Sequence, residues 1–209
     1  MFETLVNIIL IFMTYFIQLF AIMNPFSVIP TYLALTQSIS ADKRKEIIKK
    51  AWIAGMLIVL VFTLAGHYIL QAFNVSIAGL RVGGGILLIT IALDMLGDEV
   101  RTKRVHPSDI AVVPIATPLL IGPGTITTIL LLTSAKPGDA FNIVLVLIAG
   151  LTACGFSFFL LKISDNLVKY LKLSTVRAVG RFMALIIAGV AVEMIVKGLH
   201  TYYISYFKS

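Results

Sequence analysis

A single cysteine, Cys154, occurs in 209 residues, so neither an intrachain disulfide nor a cysteine-based metal site can form within the chain. Charge is scarce too. Asp, Glu, Lys and Arg make up 13% of the residues against 59% hydrophobic ones, and the mean hydropathy is +1.00. That balance excludes an ordinary soluble domain and points to an integral membrane protein. Enzyme signatures are missing: there is no His-Glu-x-x-His, no Gly-x-Ser-x-Gly, no P-loop and no dinucleotide-type Gly-x-Gly-x-x-Gly. His67, His106 and His200 fall in separate segments. No catalysis, cofactor or metal is expected. The net charge of +7 is spread in short clusters between apolar runs, which reads as orientation in a bilayer and not as affinity for nucleic acid.

What the sequence does have is apolar runs of membrane-spanning length. Crossing the hydrocarbon core takes roughly 20 such residues. Six stretches qualify, near 13–35, 51–73, 77–97, 110–133, 141–162 and 179–198. Together they make one membrane domain over 1–209 with almost nothing left for a soluble part. No Lys or Arg precedes the first run, so it reads as a retained helix and not as a secretory signal. Most of the 17 basic residues flank the odd-numbered connections: Lys43, Arg44, Lys45, Lys49 and Lys50 at the first, Arg101, Lys103 and Arg104 at the third, and Lys162, Lys169, Lys172, Arg177 and Arg181 at the fifth. Only Arg81, Lys136, Lys197 and Lys208 fall on the other side. The positive-inside rule then puts the odd connections in the cytoplasm of a cell inner (plasma) membrane and both termini outside.

Two proline-broken stretches interrupt this pattern. Asn24-Pro25 followed by Pro30 is matched by Thr117-Pro118 followed by Pro123. Proline has no N–H for the helix ladder and clashes with the carbonyl four residues earlier, while Asn or Thr before proline makes a good helix start. Further echoes keep the same order: Ile53-Ala54-Gly55 with Ile148-Ala149-Gly150, and Arg81 and Asp94-Met95 with Arg181 and Glu193-Met194. Three spans per repeat is an odd number, so the second half enters the membrane upside down. The fold expected is an all-α, 3+3 inverted repeat, about 1–100 and about 108–209, with the first and fourth spans discontinuous. Matching the repeats puts Asn24 near mid-span and leaves residues 2–12 as surplus apolar length, to be absorbed by tilt, a kink or a re-entrant segment.

In hydrocarbon an irregular backbone survives only where protein buries it or it lines a cavity. A half-helix beginning at Pro25 turns free N–H groups and its positive dipole end to the break, which suits a carboxylate, and freed carbonyls suit an ammonium group. Together they describe a small zwitterion. Asn24, Ser27, Thr31, Thr117, Thr125, Thr127 and Thr128 add neutral hydrogen-bonding groups beside Pro25, Phe26 and Pro118, and Gly122 and Gly124 permit close approach. No Arg, Lys, Asp or Glu lies in either break. The competing reading is a pair of structural kinks whose freed carbonyls are satisfied by hydroxyls. On the first reading Asn24→Leu or Gly124→Leu abolishes binding and leaves the protein folded. Asp94, Glu193 and His67 are the ionisable groups inside spans, either for ion coupling or for interfacial pairing. Gly79, Gly83, Gly84 and Gly85 suit close helix packing.

At Asn24-Pro25-Phe26 with Pro30, at Ile77-Ala78-Gly79-Leu80-Arg81-Val82-Gly83-Gly84 and at Gly122-Pro123-Gly124-Thr125-Ile126, the chain resembles the MarC family of six-span membrane proteins, which includes SnatA-type small neutral amino acid transporters. The resemblance implies a multi-pass inner-membrane protein with inverted repeats that moves glycine, alanine or similar amino acids, with coupling to protons. Its partners would be a small amino acid substrate and the bilayer. The alternative is a passive channel with aquaporin-like paired half-helices, although the second Asn is missing and Phe26 is bulky for that role.

Overall fold

The computed structural model describes residues 2–37, 39–97, 120–136 and 138–207, and all its regular structure there is helical. Among the described residues seven helices follow in order: α1 (Phe2–Met23), α2 (Pro25–Thr36), α3 (Ala41–Ala72), α4 (Ile77–Leu96), α5 (Pro123–Ser134), α6 (Ala140–Lys162) and α7 (Ser164–Phe207), the last kinked at Lys172. Five stretches among the described residues are long and apolar enough to cross a bilayer, with α1 and α2 together forming the first, and α5 is a shorter apolar helix. The first half of the fourth expected span, with Thr117 and Pro118, lies outside the described residues, as do Arg101, Lys103 and Arg104.

Local sequence explains where the helices start. Ser76 caps α4 through the Gly79 N–H at 3.0 Å, and Asp139 caps α6 through the N–H groups of Phe141 and Asn142. Residues 2–12 continue α1 as plain helix, giving about 33 Å from Phe2 to Met23. The surplus apolar length therefore extends the helix without a break before Asn24. Pro30 sits inside α2 without ending it. One missing ladder bond is tolerated there, so the interruption belongs to Asn24 and Pro25.

Tight contacts at glycines set the helix directions. A Cβ at Gly55 in α3 would meet Cys154 Sγ and Phe158 of α6 at 3.2 Å, and one at Gly150 would meet Val59 at 2.8 Å, so α3 and α6 run antiparallel. A Cβ at Gly85 would meet the Ala191 carbonyl at 2.7 Å, and one at Gly198 the Ala78 carbonyl at 2.9 Å, so α4 and α7 are antiparallel and in backbone contact. Gly83 faces open space. Tyr15 donates to Asn142 at 2.7 Å and Ser157 to the Met23 sulfur at 3.8 Å, so α1 runs with α6. The main core gathers Leu19, Met23, Ile29, Val59, Ile121, Val146 and Leu161 between these helices. At the Lys-rich end Arg44 pairs with Asp165 at 3.4 Å and reaches the Ile39 carbonyl, tying the α2–α3 connection to the start of α7.

Candidate functional site at the paired helix breaks

Asn24 takes a left-handed backbone conformation, φ 39° and ψ 65°, which a short amide side chain tolerates better than most. That single residue turns α1 into α2. Its N–H closes the last turn of α1 onto the Phe20 carbonyl at 3.0 Å, and its carbonyl accepts the Ser27 N–H at 3.1 Å. The side chain works in both directions. Oδ1 accepts the same Ser27 N–H at 3.4 Å, while Nδ2 donates to the Gly180 carbonyl of α7 at 3.2 Å and to the Met95 sulfur of α4 at 3.4 Å. Asn24 is fully buried, and its bond to the Gly180 carbonyl forms out of reach of bulk water. Gly180 is what lets α7 come this close: a Cβ there would lie 2.7 Å from Ser27 Oγ and 3.1 Å from its nitrogen.

The second break is at Ile121 and Gly122, between a helical Leu120 and Pro123 at the first turn of α5. Thr125 donates to the Leu120 carbonyl at 3.2 Å and Thr128 to the Gly124 carbonyl at 2.9 Å. Both hydroxyls are buried and used on backbone carbonyls. Gly124 is packed into α4 and α1, since a Cβ on it would meet Leu88 at 2.7 Å, Ile91 at 3.2 Å and Ile22 at 3.4 Å. Gly124→Leu is therefore an overpacking variant and not a silent binding variant. Thermal unfolding in detergent should register a loss of about 1–3 kcal/mol.

The two breaks meet. Leu88 and Ile91 touch the second and Met95 the first, so one turn of α4, about 6 Å, separates them. From this level α2 runs towards Asp165 and the Lys-rich end, its Tyr32 near that ion pair, while α5 runs alongside α3 to Gly66, where Leu130 packs. Two helix N-termini thus start close together and diverge. The level is that of Ser157, five residues before Lys162 and about 8 Å along α6 from its end, so Asn24 lies nearer the charged end than the midpoint expected from the repeats.

Other sequence-predicted residues fall as follows. Pro25 is buried, and Phe26, Ser27, Thr31 and Gly122 are half-buried, with Phe26 edge-on to Phe20 at 6.4 Å. Asp94 is half-buried beside Met95. Glu193 pairs with Lys197 at 3.1 Å on an exposed face, and His67 is exposed against Tyr68, so neither joins the breaks. Sequence reasoning missed Gly180, the partner of Asn24. It is a lone glycine between Val179 and Arg181, and no spacing marks it.

Comparison with known proteins agrees with the resemblance in the sequence. The profile of the MarC family integral membrane proteins matches residues 9–203. The UPF0056 membrane protein YvbG of Bacillus subtilis is 36% identical over 197 residues, covering 88% of this chain and 92% of that protein. The UPF0056 membrane protein MJ1677 of Methanocaldococcus jannaschii is 34% identical across 90% of this chain and 95% of its own, and YhcE of Escherichia coli 30% identical across 90% and 92%. No solved structure matches the chain.

Proposed function

The chain belongs to the MarC family of integral membrane proteins, and we propose that it is a multi-pass secondary transporter of small neutral amino acids of the glycine and alanine class, coupled to protons and working by alternating access at the paired breaks. The observation that carries this reading is the meeting of the two breaks one turn apart on α4. Two positive helix ends begin there and the last carbonyls of α1 end there, with no ionised side chain in either described break. A compact solute with its own carboxylate and ammonium matches that set of groups; a charged side chain on the solute has no counterpart.

Helix packing supports an inverted repeat. Exchanging the two halves turns the pair α2 with α7 into α5 with α4, and both pairs are in contact. Gly55 receives Ile121 from the broken helix of the opposite half, and Gly150 receives Leu19. We assign the Lys-rich end to the cytoplasm of the plasma membrane, which leaves both termini outside. In this conformation Asn24 and Gly180 occupy one another, so a solute reaches the break only after α7 moves. A closed contact of this kind fits alternating access better than a standing pore.

Proteoliposomes loaded with labelled glycine test the proposal. Saturable counterflow with unlabelled glycine or alanine is expected, and flux that rises linearly with solute and shows no counterflow would replace the transporter with a channel. Proton coupling has its own test. Of the three intramembrane ionisable groups only Asp94 adjoins in sequence a residue that touches Asn24, namely Met95, so Asp94→Asn should abolish the dependence of flux on an imposed pH gradient. Glu193→Gln and His67→Gln should keep it. The reverse pattern would move coupling to the exposed face.

A further inference from the structure

Away from both breaks, a groove of about 400 Å³ opens between α3 and α6 at their Lys-rich ends. Each wall uses the same spacing: Lys45, Ile48, Lys49 and Trp52 on α3, and Gly155, Phe158, Phe159 and Lys162 on α6. Positions i, i+3, i+4 and i+7 share one helix face, and antiparallel packing brings the ammonium groups of both walls to the same mouth. The floor below them is apolar. Gly155 keeps it open, since a Cβ there would meet only Met56 Cε, at 3.6 Å. Trp52 and Phe159 remain 40% and 52% exposed, so the core does not claim them. Lys45 shares its charge with Asp42 at 3.1 Å, but Lys49 and Lys162 have no acidic partner among the described residues.

We propose that this groove holds one anionic glycerophospholipid of the surrounding leaflet, its phosphate among Lys45, Lys49 and Lys162 and its acyl chain along Phe158, Phe159 and Trp52. Charge and shape select this occupant. Clustered ammonium groups at the membrane surface attract an anionic headgroup, whereas a zwitterionic headgroup brings its own cation to the same mouth. A free phosphate would satisfy the mouth and leave the aromatic floor bare. Trp52, three residues inside Lys49 on α3, sits where tryptophan favours the boundary between headgroup and acyl chain.

Native mass spectrometry of the full-length protein, titrated with phosphatidylglycerol and separately with phosphatidylcholine, tests the proposal. A saturable adduct of one phosphatidylglycerol is expected, and its affinity should weaken by about fivefold for each lysine removed in a Lys45→Gln, Lys49→Gln, Lys162→Gln series. Gly155→Leu keeps every charge and fills the floor, so it should also lose the adduct. A matched set outside the groove, Lys43→Gln, Lys50→Gln and Lys169→Gln, should retain it. Equal weakening by both lysine sets would overturn the site in favour of diffuse surface charge, and equal binding of both lipids would overturn the selection. Glycerol phosphate raising the melting temperature as much as the lipid does would make this an aqueous phosphate site and end the lipid assignment.

Discussion

Asn24→Leu is expected to lower stability by about 3–5 kcal/mol, adding the strain of a branched residue in a left-handed turn, a lost cap and a buried Gly180 carbonyl without a donor. Read from the sequence alone, the same substitution removes binding and spares the fold. The difference lies in the burial of Asn24 and its bond to Gly180 at 3.2 Å, neither of which local sequence contains. Two further variants separate the parts. Asn24→Gly accepts the backbone angle and loses only the side-chain bonds, so a cost of roughly 1–3 kcal/mol is expected. Asn24→Asp keeps the turn and the acceptor for Ser27 but sets a carboxylate against the Gly180 carbonyl, and it should be the least stable of the three at neutral pH and recover on acidification. Chemical unfolding in detergent, followed through the single tryptophan, Trp52, checks the order. A leucine variant as stable as the parent would show that the break is not built on this side chain, and glycine counterflow persisting in all three would remove Asn24 from the solute path.

The first break was legible because proline chemistry is local; the second falls at Gly122-Pro123, the match of Pro30, while Thr117-Pro118, the expected match of Asn24-Pro25, lies outside the described residues. Asn24-Pro25 and Pro123 act through bonds that their own neighbours cannot form, and that is visible in any window of ten residues. The order of the apolar helices was legible for the same reason, since length and hydropathy are properties of a segment, and five of the six expected spans are described at full spanning length. Pro30 shows where such reasoning ends: it too lacks a donor, yet α2 continues through it because surrounding bonds suffice. Depth was not legible. Repeat matching put Asn24 at mid-span, but depth depends on how α1 lies against α6, and that is set by contacts such as Met23 with Ser157, 134 positions apart. Gly180 was invisible on the same grounds. Its role is to lack a side chain where another helix arrives, and a lone glycine carries no mark of what it faces. Thr125 and Thr128 were recognised as polar groups near the break, but whether a hydroxyl faces a solute or its own backbone is decided by the bend itself.

Gly180→Ala should separate closure from binding, because its two expected effects have opposite signs. The added methyl would lie 2.7 Å from Ser27 Oγ and 3.1 Å from the Ser27 nitrogen, so α7 must back away from the first turn of α2 and stretch the bond to Asn24. The closed arrangement loses about 1–3 kcal/mol, as overpacking of a tight backbone contact does. A fall in melting temperature without ligand follows. If the solute enters by taking Gly180's place at the Asn24 amide, however, the open arrangement is the one that binds. Raising the closed state in energy then enlarges the competent fraction and tightens apparent affinity. The variant should therefore start less stable than the parent and gain more stability from a given concentration of glycine, since stabilisation grows with the ratio of ligand to dissociation constant. Melting curves of both proteins across a glycine series measure the two quantities together. A lower starting temperature with a smaller gain from glycine would mean that the Asn24–Gly180 contact belongs to the binding state, and α7 would then be a wall of the site and not its gate.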